Sequence, residues 1–272
     1  MRILVTAGNT ETPVDRVRCI TNIFSGATGT RIAIEAYRRG HSVCLLTSKP
    51  SVVAELAQGQ MPSGPKWRVV PYRTFDDLHQ SMASEILSDR YDAVVHVAAV
   101  SDYQVVGTYG VAQGASFDVS SQRWNSCGNT PMLVDAIAGK VKSSHDELWL
   151  RMKPTPKLVD KIRSPWGFQG VLVKFKLEVG VTEKELEAIA EKSRHHSRAD
   201  FIVANTLLEM NDWAILLGQG KVATKIKRAS LSEQIVSRVE EETNRPAHAI
   251  WLASMVSSKW NELVEFATRP EK

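Results

Sequence analysis

The chain has 272 residues, 43% of them hydrophobic and 24% charged, with a formal net charge of +4; that is enough to bury a full core. It carries no long basic run or tail, so nucleic acid is not an expected partner, and the mild positive surplus suits a phosphorylated small molecule better. No apolar stretch approaches the roughly 20 residues that span a bilayer, the first residues run directly into a strand rather than a secretory signal, and Cys19, Cys44 and Cys127 form no metal-ligand pattern, so no membrane and a reduced cytoplasmic setting are expected.

"RILVTA" reads as a buried strand, apolar on both faces. A polar segment with Pro13, Asp15, Arg16 and Arg18 then precedes Ser25-Gly26-Ala27-Thr28-Gly29, where a small-residue turn opens a helix. Ser25 is placed to cap that helix, Ile32, Ala33, Ala36 and Tyr37 give it an apolar stripe, and Gly40 ends it. "HSVCLLTS" is the second strand, followed by a helical stretch near Val52–Ala57, a strand at "WRVVPY" and a helix over Phe75–Leu87. "YDAVVHVAAV" is a strongly apolar strand that ends in Ser101-Asp102-Tyr103. From Gly107 to about Thr130 the chain turns to Gly, Ser, Gln and Asn without clear periodicity, which predicts a long loop or insertion. "PMLVDAIAGKVKSS" predicts a helix ending at Ala138-Gly139, and "ELWLRM" the strand after it. A helix opening at Thr155-Pro156, the strand "GVLVKF", a charged helix from Thr182 to about His196 and the strand "DFIVAN" follow. A hairpin around Gly218-Gln219-Gly220 and a helix over Ser232–Glu242 complete the pattern. Strands alternating with helices predict an α/β fold, a doubly wound, Rossmann-like parallel sheet with a small β-hairpin extension. Residues 1–242 are the expected nucleotide-binding domain, with 243–272 a C-terminal helical tail.

In such a sheet ligands bind at the carboxyl ends of the strands. Four segments stand there: Gly8 with the Asn22–Gly29 turn, Ala98–Tyr103, Lys174–Glu178, and Ala204-Asn205. A serine, glycines and free N–H groups at a helix start cradle phosphate. Asp102 can accept from a ligand hydroxyl, amide or amine, or act as a turn cap. Asn22 can hold a carboxylate or amide at a reacting centre, or stabilise a turn. Lys140, in Lys140-Val141-Lys142, is either a mobile charge closing over phosphate or a solvated lysine. Phe175 is a base-stacking candidate or a core residue. His195 and His196 are adjacent on a helix and face apart, which argues against a metal site.

Familiar reaction machinery is missing from the text. The second strand ends Thr47-Ser48-Lys49 with no acid for a nicotinamide ribose, and neither a Tyr-x-x-x-Lys pair nor a Gly-x-Ser-x-Gly elbow occurs. There is no Walker loop, His-Glu-x-x-His or Cys-x-x-Cys. Phosphate-centred chemistry driven by positioning and charge neutralisation remains.

The same segments resemble the phosphopantothenoylcysteine synthetase family. "VTAGNTETPVDRVRCITNIFSGATG" is similar to that family's opening strand end, Val-Arg-x-x-x-Asn and Ser-Ser-Gly-x-x-Gly. "AAVSDY", "KVKSSHDELWLRMKPTPKLVDKI", "LVKFKLEV" and "DFIVAN" resemble its later segments in the same order, from Arg2 to about Glu242. The resemblance implies a ligase that takes a nucleoside triphosphate with Mg²⁺, activates the carboxylate of 4′-phosphopantothenate as an acyl-nucleotide, releases pyrophosphate, and lets the amine of cysteine displace the nucleoside monophosphate. Carried over by position, Asn22 holds the intermediate and Lys140 assists activation. Ala98, Ala99, Asp102 and Arg18 meet the substrate, while Gly8, Ser25, Gly26, Gly29, Phe175 and Asn205 meet the nucleotide. No position is implied for the metal ligands. A homodimer and a separate decarboxylase for the next step are also implied.

The sequence departs from that pattern at Asn9, where a second glycine is usual, and at Phe24, where a serine is usual. Ser143 replaces a lysine, and Ser193 and Ser197 stand where many bacterial members carry lysines associated with CTP. The nucleotide is therefore ATP or CTP, with ATP favoured. The alternatives are a catalytically inactive regulatory or binding homologue, which Asn9, Phe24 and the shortened lysine motif would motivate, and an NADP-binding short-chain-type oxidoreductase with Lys49 on the extra phosphate.

Overall fold

The computed structural model describes residues 1–245 apart from 89, 127–131, 137–140, 142–144, 219 and 221. In chain order the elements are β1 (Arg2–Ala7), β2 (Glu11–Pro13), β3 (Cys19–Thr21), α1 (Ala27–Arg38), β4 (Ser42–Thr47), α2 (Ser51–Leu56), β5 (Trp67–Pro71), α3 (Phe75–Ser88) and β6 (Ala93–His96). They continue as β7 (Tyr103–Val111), β8 (Ala115–Asp118), β9 (Arg123–Ser126), β10 (Leu133–Asp135), β11 (Leu148–Pro154), α4 (Leu158–Arg163) and β12 (Val171–Glu178). The last are α5 (Glu183–His196), β13 (Phe201–Thr206), β14 (Trp213–Gly218), β15 (Thr224–Lys227) and α6 (Leu231–Thr243).

The main sheet has eight strands in the order β15-β14-β13-β12-β6-β1-β4-β5. The six from β5 to β13 run parallel, and β14 and β15 add an antiparallel hairpin at one edge. The order reverses between β1 and β6, so the chain leaves these neighbouring strands in opposite directions and opens a crevice at their carboxyl ends. Alternation along each strand feeds two faces. Ile3, Val5 and Ala7 of β1 pack with Ile32, Ala33 and Ala36 of α1 and with Leu231 and Ile235 of α6. Leu4 points to the other side, among Leu78 and Met82 of α3 and Leu158 and Ile162 of α4. Ile202 and Ala204 of β13 bury Leu186 and Ala190 of α5. This is the doubly wound α/β fold expected from the pattern, hairpin included.

Two expectations are corrected. The stretch expected as a long loop or insertion from Gly107 to about Thr130 carries strands over its described part, to Ser126: β7 pairs antiparallel with β11 and β10, and β8 with β9. Gly107 and Gly110 are close-approach positions, because a Cβ on Gly107 would meet the Tyr109 hydroxyl at 2.5 Å and one on Gly110 the His145 ring at 2.4 Å. Phe117, Trp124 and Trp149 gather on this layer with ring centroids 4.8–5.3 Å apart, supplying the apolar contact that its polar composition hides. Likewise β10 occupies Leu133–Asp135, where a helix was expected, because Val111, Gly110 and Tyr109 of β7 offer it a ladder. The tail beyond residue 245 lies outside the described residues.

Candidate active site

Two adjoining cavities lie at the carboxyl ends of the parallel strands. The first, about 450 Å³, is walled by Gly8, Ser25, Gly26 and Thr28 at the start of α1, and by Phe175, Asn205, Arg31 and Arg228. The second, about 470 Å³, takes in Asn22, Asp102, Lys157, Asp160, Lys174, Ser193 and His196. Phe24, Ala98, Ala99, Phe175, Lys176 and Leu177 line both, so these residues form the partition. Each volume suits a small ligand.

The turn before α1 is shaped by backbone. Gly26 is the helix N-cap in the left-handed region, φ 82°, with no side-chain cap bond. The capping expectation for Ser25 is thus corrected: its Oγ only approaches the Ala27 N–H at 3.4 Å, which leaves the hydroxyl on the cavity wall. A Cβ on Gly26 would lie 2.5 Å from the Gly8 nitrogen, so glycine is required for the turn to rest on the end of β1. Gly29 lines neither cavity; a Cβ there would meet Ala7 Cβ at 2.7 Å, and its service is to let α1 lie close against β1.

Asn22 is held at the mouth of the second cavity. Its Nδ2 donates to the Ala99 carbonyl at 2.9 Å, and its own carbonyl accepts from Asn9 Nδ2 at 2.6 Å. Asn9, buried, also donates to Thr21 Oγ1 at 2.9 Å and accepts from Ser48 Oγ at 3.0 Å. The Asp102 segment is pinned from both sides: Ser101 N–H donates to Thr10 Oγ1 at 2.8 Å, Thr155 N–H to the Asp102 carbonyl at 2.9 Å, and Thr155 Oγ1 to the Ser101 carbonyl at 2.6 Å. The Asp102 carboxylate pairs with Lys157 Nζ, and both are largely exposed.

Beneath, Thr6 Oγ1 accepts from the N–H groups of Val97 and Ala98 at 3.1 Å each and contacts His96 Nδ1 at 2.9 Å. With both acceptor positions used, the threonine hydroxyl donates to Nδ1 and the imidazole proton sits on Nε2. Burial, with the nearby Lys174 charge, pushes His96 down to about 4, so it is neutral. Lys174, itself buried, donates from Nζ to the Ser193 carbonyl at 3.1 Å, Ser193 Oγ at 3.0 Å and Ser197 Oγ at 2.9 Å.

Of the residues expected at the site, Gly8, Ser25, Gly26, Phe175 and Asn205 share the first cavity, Asn22 and Asp102 share the second, and Ala98 and Ala99 divide them. Arg18 lines neither; its guanidinium holds Asp15 at 2.6 Å and donates to the Val141 carbonyl at 2.8 Å. Lys140 lies outside the described residues. Sequence reading missed Arg31 and Arg228, which bring two guanidinium groups to the first cavity, and Lys157, Asp160 and His196 in the second. Lys157 and Asp160 had a visible signal in the Thr155-Pro156 turn facing Asp102; Arg228 comes from a distant hairpin and had none. Among the described residues no three His, Cys, Asp or Glu side chains cluster as a metal site.

Residues 1–110 match the family described as DNA/pantothenate metabolism flavoprotein C-terminal domain. The coenzyme A biosynthesis bifunctional protein CoaBC of Thermococcus kodakarensis is 32% identical over 248 residues, 88% of this chain and 51% of that protein. The crystal structure of the DNA/pantothenate metabolism flavoprotein from Streptococcus pneumoniae matches with a TM-score of 0.69 and 27% identity, over 89% of this chain and 99% of that one. The chain is therefore similar to the DNA/pantothenate metabolism flavoprotein C-terminal domain family over residues 1–110 and to CoaBC over most of its own length. It spans about half the length of the curated relatives it matches. A Cab2 variant in complex with phosphopantothenate-cysteine shares the fold, with a TM-score of 0.63 and 18% identity over 93% of this chain and 88% of that one. Of the two departures from the resembled pattern, Asn9 fastens Asn22 through its side chain, and Phe24 is part of the partition between the cavities.

Proposed function

We propose that this chain is a phosphopantothenate–cysteine ligase. The observation that carries the reading is the partition: Gly8, Ser25, Gly26 and Asn205, assigned to the nucleotide, line the first cavity alone, Asp102, assigned to the acid substrate, lines the second with Asn22, and Phe175, Ala98 and Ala99 stand between the two. In this reading a nucleoside triphosphate lies along the Ser25-Gly26 turn, where α1 N–H groups and the guanidinium groups of Arg31 and Arg228 meet its phosphates. The 4′-phosphopantothenate lies in the second cavity with its carboxylate at the junction. Its oxygen attacks the α-phosphorus, the bond to the bridging oxygen breaks, and pyrophosphate leaves. The cysteine amine then adds to the acyl carbon, loses a proton, and expels the nucleoside monophosphate. No side-chain nucleophile is needed; alignment and charge neutralisation drive both steps.

Mg²⁺ fits this scheme on the phosphates themselves, where it commonly keeps several waters and supplies charge neutralisation. Of the two nucleotides we favour ATP, since Ser193 and Ser197 stand where many bacterial members of the resembled family carry lysines associated with CTP. A homodimer accords with Val134 and Leu148, exposed side chains both in register with Gly110 on the small antiparallel sheet. The test mixes pure protein with 4′-phosphopantothenate, cysteine, Mg²⁺ and ATP or CTP, and assays pyrophosphate and monophosphate. Absence of both products with either nucleotide overturns the assignment.

A further inference from the structure

The β2–β3 hairpin that carries Asn22 is only three residue pairs long, and all three residues of β3 are exposed. A ribbon of that size does not hold its shape by itself. Its last pair toward the site joins Glu11 to Thr21, so backbone pairing stops one residue short of Asn22. There the Asn9 side chain takes over. Its Nδ2 donates to the Asn22 carbonyl at 2.6 Å and to Thr21 Oγ1 at 2.9 Å. Thr21 Oγ1 spends its own proton on the Thr10 carbonyl at 3.1 Å, so toward Asn9 it can only accept. The amide is thereby fixed with its nitrogen toward the hairpin and Oδ1 away from it. On that far side Ser48, just past the end of β4, donates to Oδ1 and accepts from the Asn9 N–H, each at 3.0 Å.

Both ends of Asn22 are thus set on one piece of the main sheet. Asn9 forms a parallel bridge with Ala99 beyond β1 and β6. The Ala99 carbonyl accepts from the Thr10 N–H at 3.2 Å and from Asn22 Nδ2 at 2.9 Å. The main chain of Asn22 hangs from Asn9 and its side chain from Ala99, which aims the remaining Oδ1 in one direction. Asn9 is 4% exposed and lines neither cavity, so it holds Asn22 without meeting a ligand. A glycine, usual here in the resembled pattern, has no amide to offer. We propose that Asn9, anchored by Ser48, is a positioning residue that keeps Asn22 in place for the amide-forming step. The inference rests on the ligase reading above and extends it to a residue outside both cavities.

The experiment compares wild type, Asn9→Ala and Ser48→Ala by rapid quench with saturating 4′-phosphopantothenate, cysteine, Mg²⁺ and ATP or CTP. Asn9→Ala is expected to slow amide formation roughly 10- to 100-fold, the scale of a small misplacement at a reacting centre. KM for the nucleotide should stay unchanged, so that pyrophosphate exceeds amide product. Ser48→Ala keeps the Asn9 donors and removes only their anchor. It should move the same ratio by less, and it covers the case in which Asn9→Ala does not fold. A second measurement follows Asn22 directly. The ¹⁵N relaxation of its side-chain amide, a signal identified by its loss in Asn22→Asp, should give a lower order parameter in both variants than in wild type. Matched pyrophosphate and amide in a folded Asn9→Ala overturns the proposal. So does slower amide formation with the Asn22 amide as ordered as in wild type, because the effect then runs through another residue. If wild type makes no product, the ligase reading fails by itself. The relaxation measurement then judges the tie alone: equal order refutes it, and lost order upholds it.

Discussion

Asn22 Nδ2 donates to the backbone carbonyl of Ala99 at 2.9 Å, tying the segment before the Ser25-Gly26 turn to the end of the strand across the switch point. This bond uses the amide nitrogen and leaves Oδ1 for the cavity. It also fixes which way the amide points, because only the nitrogen end can donate to a carbonyl.

Replacing Asn22 by Asp would set a carboxylate oxygen against the Ala99 carbonyl and place a negative charge where an acyl-nucleotide would lie. The amide-forming half is expected to stall while the fold persists. Rapid quench should show pyrophosphate without a matching amount of amide product, with a circular dichroism spectrum like that of wild type. Unchanged amide formation would remove Asn22 from the role proposed for it.

Gly26 is under two constraints at once, a left-handed φ of 82° and a Gly8 nitrogen only 2.5 Å from where a Cβ would sit. Backbone on both sides leaves no flexible atom to yield. Gly26→Ala should cost about 3 kcal/mol, combining left-handed strain with overpacking, read as a lower urea midpoint at constant slope. A loss under ~1 kcal/mol would mean that the turn relaxes away from β1.

Arg228 is half-buried beside Thr28, its side chain donating to the Thr28 hydroxyl, and burial with the neighbouring Arg31 charge disfavours its protonated form. Arg31 and Arg228 thus bring two guanidinium groups to one wall of the first cavity. Arg228→Met should weaken nucleotide binding by roughly tenfold, as expected for one charge-assisted contact, with KM for cysteine unmoved. Equal nucleotide affinity in equilibrium titration would assign Arg228 to packing alone.

The parallel sheet was legible because its strands are continuous apolar runs and its helices carry stripes, which local periodicity records. The Asn22–Gly29 and Ala98–Asp102 segments were legible because strand ends in such folds converge. The antiparallel layer around β7 was not: its residues are polar, and its burial comes from Trp149, which lies 25 positions beyond Trp124 in the sequence. Arg228 was equally hidden, since the hairpin that delivers it to α1 is 200 positions from Thr28. Lys174 was visible as a residue near a strand end, but its place depends on Ser193 and Ser197, a helix turn that packs on β12 only in three dimensions.

His96 gives the pH dependence. The folded protein holds it neutral, with burial lowering it from 6.5 to about 4, while the unfolded chain takes up a proton near the ordinary value. Between those limits the unfolded state binds more protons, so stability rises with pH. The contribution is intact above about pH 6.5 and is lost as pH falls toward 4. The full span amounts to about 3 kcal/mol. His96→Gln retains an acceptor for the Thr6 hydroxyl without titrating in this window. Urea melts of wild type and variant at pH 7.5 and pH 5 should therefore show a steeper acid loss in wild type, since the difference between the two proteins cancels the other groups. Parallel losses in both would mean that His96 gains a proton without leaving its place beside Thr6.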